Sequence, residues 1–272
     1  MNTRKLFGIT FAAIFGMAMI LAGCDSVGTN AAGNTGTLEV RMHDAPANYD
    51  QVNVSIKSVE VNNTKDDTGW VEISSPQKTY DLLKLTNGAT TLLGSKELPV
   101  GTYEQIRLIL NKDGNNVVVN GTQHDLKIPS GSQTGIKLNV NAEIKPDITY
   151  KLLLDFDASR SVVEAGNQHS GVRYLLKPVV DATNEATTGI ISGVVNPADS
   201  KSFVYAIAGS DTMSSTKADT TDGSFKLIGL NEDSYTVSVD PSNEIYQSKD
   251  TTGVKVTVGE TNNIGTIELP QQ

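Results

Sequence analysis

The sequence predicts an all-β protein, on three observations. Thr, Ser, Asn, Val and Gly are abundant while aromatic residues make up only 6%, a bias that suits strands joined by polar turns. Apolar and polar residues alternate in short runs along most of the chain, the period of a half-buried strand. Turn signals separate those runs, most clearly at Asn120-Gly121, where both residues tolerate the positive φ of a two-residue hairpin. The expected architecture is a signal segment, a larger β-rich domain and a small β-sandwich.

The first element stands apart from this pattern. Arg4 and Lys5 precede Leu6–Leu21, an uncharged apolar run of 16 residues, and Leu21-Ala22-Gly23-Cys24 follows. A basic start, an apolar stretch and small residues before a cleavage point define a secretory signal. The run is shorter than the ~20 residues that span a bilayer comfortably, which argues against an uncleaved anchor. Cys24 is the only cysteine, so no intramolecular disulfide can form. Leu-Ala-Gly-Cys resembles the lipobox of bacterial lipoproteins. That resemblance implies cleavage between Gly23 and Cys24 and acylation of the Cys24 sulfur, with the membrane as partner through lipid. Two or three acyl chains suffice for stable anchoring where one is marginal.

Loss of residues 1–23 removes Arg4 and Lys5 and leaves 20 basic against 31 acidic residues, a net −11. This balance disfavours nucleic acid and anionic lipid as electrostatic partners. Residues 24–36, rich in Gly, Asn, Ser and Thr, read as a flexible tether.

A β-rich domain is then expected over 37–183. Thr37–Met42 alternates, as does Gln51–Ile56. The phase shifts at Val59 and Val61, which predicts a bulge near Ser58. Further strands are expected at Trp70–Ile73, Tyr103–Leu110, Val117–Val119, Asp125–Ile128, around Ile136–Val140, at Thr149–Phe156 and within Tyr174–Val180, with short helical turns at Ala45–Tyr49 and Leu82–Leu85. Asp181–Thr188 is polar and patternless, a candidate linker. Beyond it, over 188–270, short strands are expected at Gly189–Val195, Phe203–Ala208, Ser224–Leu227, Tyr235–Val239, Val254–Val258 and Asn263–Leu269, with a weaker one near Ile245. Their regular spacing suggests a sandwich.

Two resemblances attach to these halves. The ordered motifs G-T-L-E-V-R-M-H-D-A-P (36–46), W-V-E-I (70–73), D-L-L-K-L (81–85), L-P-V-G-T-Y-E-Q-I-R-L-I-L (98–110), I-P-S-G-S-Q-T-G-I-K-L (128–138), L-D-F-D (154–157) and L-L-K-P-V-V (175–180) resemble domain of unknown function four-three-eight-two (DUF4382). This family is common in exported lipoproteins, and the resemblance implies location and fold but no activity. In the second half, G-I-I-S-G-V-V (189–195), T-D-G-S-F-K-L-I-G-L (221–230) and Y-T-V-S-V (235–239) resemble carboxypeptidase regulatory-like modules. That implies a transthyretin-like sandwich with an accessory role and no peptidase activity. Many of those relatives have Gly where this chain has Asp233.

Candidate chemistry is sparse. His43, His124 and His169 are the only histidines, and no G-x-S-x-G elbow accompanies them. The chain therefore reads as non-catalytic and without a cofactor. Asp155 and Asp157 lie two apart on a strand and share a face; with Asp44 they are weak candidates for Ca²⁺. No D-x-D-x-D-G loop supports them, and polar-face carboxylates are the simpler reading. Pro129–Gly135 is Gly/Ser-rich, but a strand follows rather than the helix a phosphate cradle needs. Trp70, Tyr205, Tyr235 and Tyr246 are the aromatics available for sugar stacking, although core packing suits them better.

The sequence thus points to an exported envelope lipoprotein presenting binding or structural modules. A glycan or an envelope protein is the expected partner. A carbohydrate-binding accessory protein and a Ca²⁺-dependent adhesion module are the alternatives. Outer membrane or cell surface is the expected location. Asp25 directly after the cysteine leaves the inner membrane open.

Overall fold

The computed structural model describes residues 34–64, 68–129, 135–165 and 173–272. The expected leader 1–23, Cys24, His169 and residues 130–134 lie outside the described residues. The fold is all-β. The first half contains β1 (Thr35–Ala45), β2 (Gln51–Asn62), β3 (Val71–Ser74), β4 (Lys78–Asp81), β5 (Thr91–Pro99), β6 (Gly101–Leu110), β7 (Asn116–Val119), β8 (Thr122–Lys127), β9 (Ile136–Ile144), β10 (Thr149–Asp157), β11 (Val162–Glu164), β12 (Tyr174–Leu176) and β13 (Val180–Asn184). A single helical turn, α1 (Ala158–Ser161), follows β10.

These strands make two sheets. One has the order β13-β10-β1-β5; the other runs β11-β12-β8-β7-β2-β6-β9, with β3 and β4 also paired to β2. One hydrophobic cluster joins them. Leu38, Val40, Met42, Leu152, Leu154 and Phe156 come from the four-stranded sheet, and Val52, Val54, Ile56, Ile106 and Leu108 from the larger one. Alternation in β1 and β2 therefore builds the core as the period-2 reading requires. The bulge expected near Ser58 is present as a register shift between Ile56 and Ser58 against β6. The β7–β8 hairpin turns at Asn120 (φ 50) and Gly121 (φ 73). Leu82–Leu85 forms a 3₁₀ turn.

Several local expectations are corrected. No helical turn forms at 45–49, because Ala45 still belongs to β1. β1 begins at Thr35, inside the expected tether. β5 runs along a stretch without clean alternation because a bulge at Leu93 shifts its register against β1, which lets both Leu93 and Leu98 reach the first core. The candidate linker at 181–188 is largely a strand: Val180–Asn184 pairs antiparallel with β10. A ladder satisfies its backbone, so it needs no apolar pattern of its own.

The second half contains β14 (Thr188–Asn196), β15 (Phe203–Ala208), β16 (Asp211–Lys217), β17 (Ser224–Asn231), β18 (Ser234–Asp240), β19 (Lys249–Lys255) and β20 (Thr261–Glu268). They form sheets of order β17-β14-β20 and β16-β15-β18-β19. A second cluster lies among them, including Ile191, Val204, Phe225, Leu227, Tyr235, Val237 and Val239. The weak strand near Ile245 is absent; Tyr246 makes only an isolated bridge to Gln271. The expected strand at Val254–Val258 is shifted toward the N-terminus, to Lys249–Lys255.

The four-stranded sheet is covered on both faces. β1 and β10 run parallel at its centre. Burial in β1 changes from alternating to continuous at Met42–Ala45, and Leu152, Leu153 and Leu154 are buried in succession on β10. Continuous burial is what a strand shows when both faces are packed. Leu153 faces away from the core toward β17, and a Cβ on Gly229 would lie 3.5 Å from its Cδ2.

A polar clamp joins the two halves at the turn Thr86-Asn87-Gly88. The Asn87 N–H donates to Thr216 Oγ1 at 2.8 Å, and its Nδ2 donates to the Ser224 carbonyl at 3.2 Å. The Lys226 N–H donates to Asn87 Oδ1 at 2.7 Å. Asn tolerates the left-handed φ of 56° required here. Asn87→Gly keeps that backbone and removes two of the three bonds. At about 1 kcal/mol each, the loss should be about 2 kcal/mol. Hydrogen exchange should report it at the Lys226 amide; unchanged protection there would refute the clamp.

Candidate functional site

At the doubly covered end of the four-stranded sheet, three ionisable residues form a row across neighbouring strands. His43 on β1 is in register with Asp155 on β10, and Asp155 is in register with Asp181 on β13. All three side chains therefore lie on the face opposite the first core. β15–β17 of the second half roof this face and leave two cavities. One, of about 460 Å³, is bordered by His43, Asp155, Asp181, Thr212, Met213 and Gly229. The other, of about 480 Å³, is bordered by Asp155, Asp157, Arg160, Tyr205 and Ser210 among others.

The row is poor in internal bonds. His43 Nε2 lies 3.7 Å from Asp155 Oδ1, too far for a hydrogen bond. Asp155 Oδ1 is buried and has no hydrogen-bond partner. Like charges directly opposite on neighbouring strands are destabilising, which makes the Asp155–Asp181 pair costly. Arg160 offsets part of that cost: its Nη2 is 3.9 Å from Asp181 Oδ2, and its Nε pairs with Asp157.

Burial lowers His43 to about 4, because the imidazolium would lose its hydration. Burial also raises Asp155 to about 7; the charges of Asp157 and Asp181 push the same way, and Arg160 opposes them. At neutral pH the imidazole is therefore uncharged, and Asp155 is poised between its two forms.

The three carboxylates considered for Ca²⁺ do not converge. Asp44 points to the core side of β1, where its Oδ1 accepts from the Ala158 N–H at 2.9 Å. Its burial, reinforced by Asp155, Asp157 and Asp81, raises its pKa well above the ordinary 3.8. Asp157 caps α1, accepting from the Arg160 N–H at 2.9 Å and from Ser159 Oγ at 2.6 Å. Asp155 faces the cleft. Among the described residues no group of three or more His, Cys, Asp or Glu side chains is arranged to hold a metal ion.

The aromatics are also engaged. The Arg107 guanidinium lies 4.2 Å from the centroid of the half-buried Trp70 ring, and Lys137 Nζ lies 5.9 Å from it. Arg107 is itself paired with Glu60. Tyr235 is buried and donates its hydroxyl to the Asn231 carbonyl at 2.9 Å. Tyr205 stacks with Phe203, and Tyr246 bonds Asp199. His124 packs against Tyr174 at 5.2 Å between centroids, away from the cleft.

Sequence reasoning found the shared face of Asp155 and Asp157. It missed Asp181 and Arg160, and it did not join His43 to Asp155. Asp181 sat in a stretch read as linker, and register between distant strands leaves no local signal. The Leu152-Leu153-Leu154 run was a usable sign that something covers the second face.

Fold and cleft together define an all-β protein in which His43 and Asp155 lie beneath a second packed half, with Asp181 at the exposed end of their row. The chain belongs to the family described as Domain of unknown function (DUF4382), whose model matches residues 35–178. No curated protein matches the chain. Among solved structures, a C-terminal interface mutant of the type II cohesin–X-dockerin complex from Acetivibrio cellulolyticus is 20% identical, with a TM-score of 0.25. That match covers 30% of this chain and 58% of the other, so this chain spans little more than half of that relative. The Bacillus anthracis TIE protein is 14% identical over 88% of this chain and 34% of its own, at a TM-score of 0.23. The minor pilin GBS52 of Streptococcus agalactiae is 11% identical over 86% and 96%, also at 0.23. These TM-scores transfer no property to this chain. No catalytic family is indicated.

Burial of these groups ties folding stability to pH. The low His43 value gives stability that is present above its ordinary 6.5 and is lost as pH falls through about 4. The high Asp155 value gives stability that is present below 3.8 and is lost as pH rises through about 7. Between these limits the folded pair holds its proton on Asp155 and the unfolded chain holds it on His43, so the two slopes cancel. Asp155→Asn leaves the His43 slope alone. Urea denaturation should then show stability falling below pH 6.5, by at most about 1.4 kcal/mol per unit; a slope no different from that of the unmodified protein refutes the pairing.

Asp44 behaves as a raised carboxyl, with stability present at low pH and lost as pH rises through its folded value. Asp44→Asn is neutral and keeps an oxygen for the Ala158 N–H. Its melting temperature should exceed that of the unmodified protein at pH 8, with the gap closing toward pH 4. A gap that widens on acidification would contradict this.

Proposed function

We propose that this protein is a non-catalytic envelope lipoprotein, fixed to a membrane by acyl chains on Cys24 and presenting its β-rich modules to a partner. The observation that carries this reading is Leu21-Ala22-Gly23-Cys24, placed directly after Arg4, Lys5 and the apolar run Leu6–Leu21. In this reading residues 1–23 are removed. The short polar stretch after Cys24 gives reach, and residues 37–183 and 188–270 act as modules. The second module is assigned to the carboxypeptidase regulatory-like sandwiches on its sequence motifs, with an accessory role. The strand content and the packed aromatics support a scaffold that exposes loops and sheet edges.

A glycan or an envelope protein remains the proposed partner, and the outer membrane or cell surface the proposed location. For the glycan, the Arg107 guanidinium over Trp70 disfavours stacking on that face. The anchor is tested by Cys24→Ala with metabolic labelling by a radioactive fatty acid. The unmodified chain should incorporate label and partition into detergent; the variant should stay unlabelled and keep its leader. A variant that is still acylated and processed overturns the reading.

A further inference from the structure

The row Asp181–Asp155–His43 has no evident role in holding the fold together. Two carboxylates sit directly opposite each other on neighbouring strands, an arrangement that costs stability. Asp155 Oδ1 is buried without a hydrogen-bond partner. His43 is only 5% exposed, and its ring makes no hydrogen bond among the described residues. A largely buried His–Asp pair that lines a cavity and leaves a carboxylate oxygen unbonded calls for an explanation, and a ligand site supplies one.

The chemistry of the lining selects the ligand. With Asp155, Asp157 and Asp181 ionised, Arg160 balances one charge and two remain. The Asp155 carboxylate, partly exposed and lining both cavities, offers a hydrogen-bond acceptor, and the unprotonated nitrogen of neutral His43 offers another. Both favour a ligand that donates N–H bonds and carries positive charge. A bare metal ion is disfavoured, since no group of three or more His, Cys, Asp or Glu side chains among the described residues is arranged to hold one. Met213, Val180 and Ile228 supply apolar wall beside the acids, which suits a hydrocarbon stem.

We propose that this cleft binds an aliphatic diamine or polyamine, with one ammonium seated on Asp155 beside His43 and the second charge answered by Asp181, since Arg160 already pairs with Asp157. Both halves of the chain supply lining, so the site exists only when they are docked. It lies within the described residues and is independent of whether Cys24 is acylated.

Calorimetric titration of the full chain in detergent at pH 8 with putrescine tests this. Saturable one-to-one binding is expected, with a Kd of about 1 mM or tighter. Glucose and calcium chloride should give no saturable heat. Asp155→Asn should weaken putrescine binding by about tenfold or more, the loss of one charge-assisted bond. Asp181→Asn, whose side chain is 78% exposed and whose replacement should leave the fold intact, should weaken it measurably. The proposal is overturned if putrescine does not saturate, if Asp181→Asn binds as tightly as the unmodified protein, or if glucose or Ca²⁺ binds in its place.

Discussion

The structure depends on one sheet with two covered faces. β1 and β10 lie parallel at the centre of the four-stranded sheet, and parallel strands are stable where both faces are packed. One face carries Leu38, Val40 and Met42 into the first core; the other carries Leu153, His43 and Ala45 toward the second half. Without the second half, Leu153 would meet water. Burying a leucine is worth roughly 1.5–3 kcal/mol. The two halves are therefore two sandwiches that meet on one sheet rather than beads on a string.

This double cover also makes the cleft chemically unusual. An ionisable row on an exposed sheet face would be solvated and unremarkable in its titration. Roofed by β15–β17, His43 and Asp155 lose water while Asp181 keeps it, and the imidazole and the Asp155 carboxyl move in opposite directions. Burial dominates both shifts, and the neighbouring carboxylates add to it for Asp155 alone. Asp44, one residue from His43 on β1, meets desolvation from the core side instead. Adjacent residues on one strand thus face two different low-dielectric environments, because strand side chains alternate.

The sequence made part of this legible. Strong alternation at Thr37–Met42 and Gln51–Ile56, the Asn-Gly turn and the phase slip at Ser58 each encode a local event, and each is found in the fold. What local pattern could not encode is polar strand held only by its ladder. β16 falls in this class, and so does most of β13, where only Val180 and Ala182 reach the first core. The same limit hid the site. Asp155 and Asp157 share a face by spacing alone, but Asp181 and His43 join Asp155 through register between strands far apart in the chain.

The Asn87 turn has a consequence for the second sandwich taken alone. β17 is the outer strand of its sheet, and the Asn87 carboxamide occupies the Ser224 carbonyl and the Lys226 amide there as one peptide unit of a neighbouring strand would. An open outer strand is a template for pairing between molecules. The first half thus covers part of that edge within the same chain: one side chain occupies two backbone groups that a strand of another copy would need.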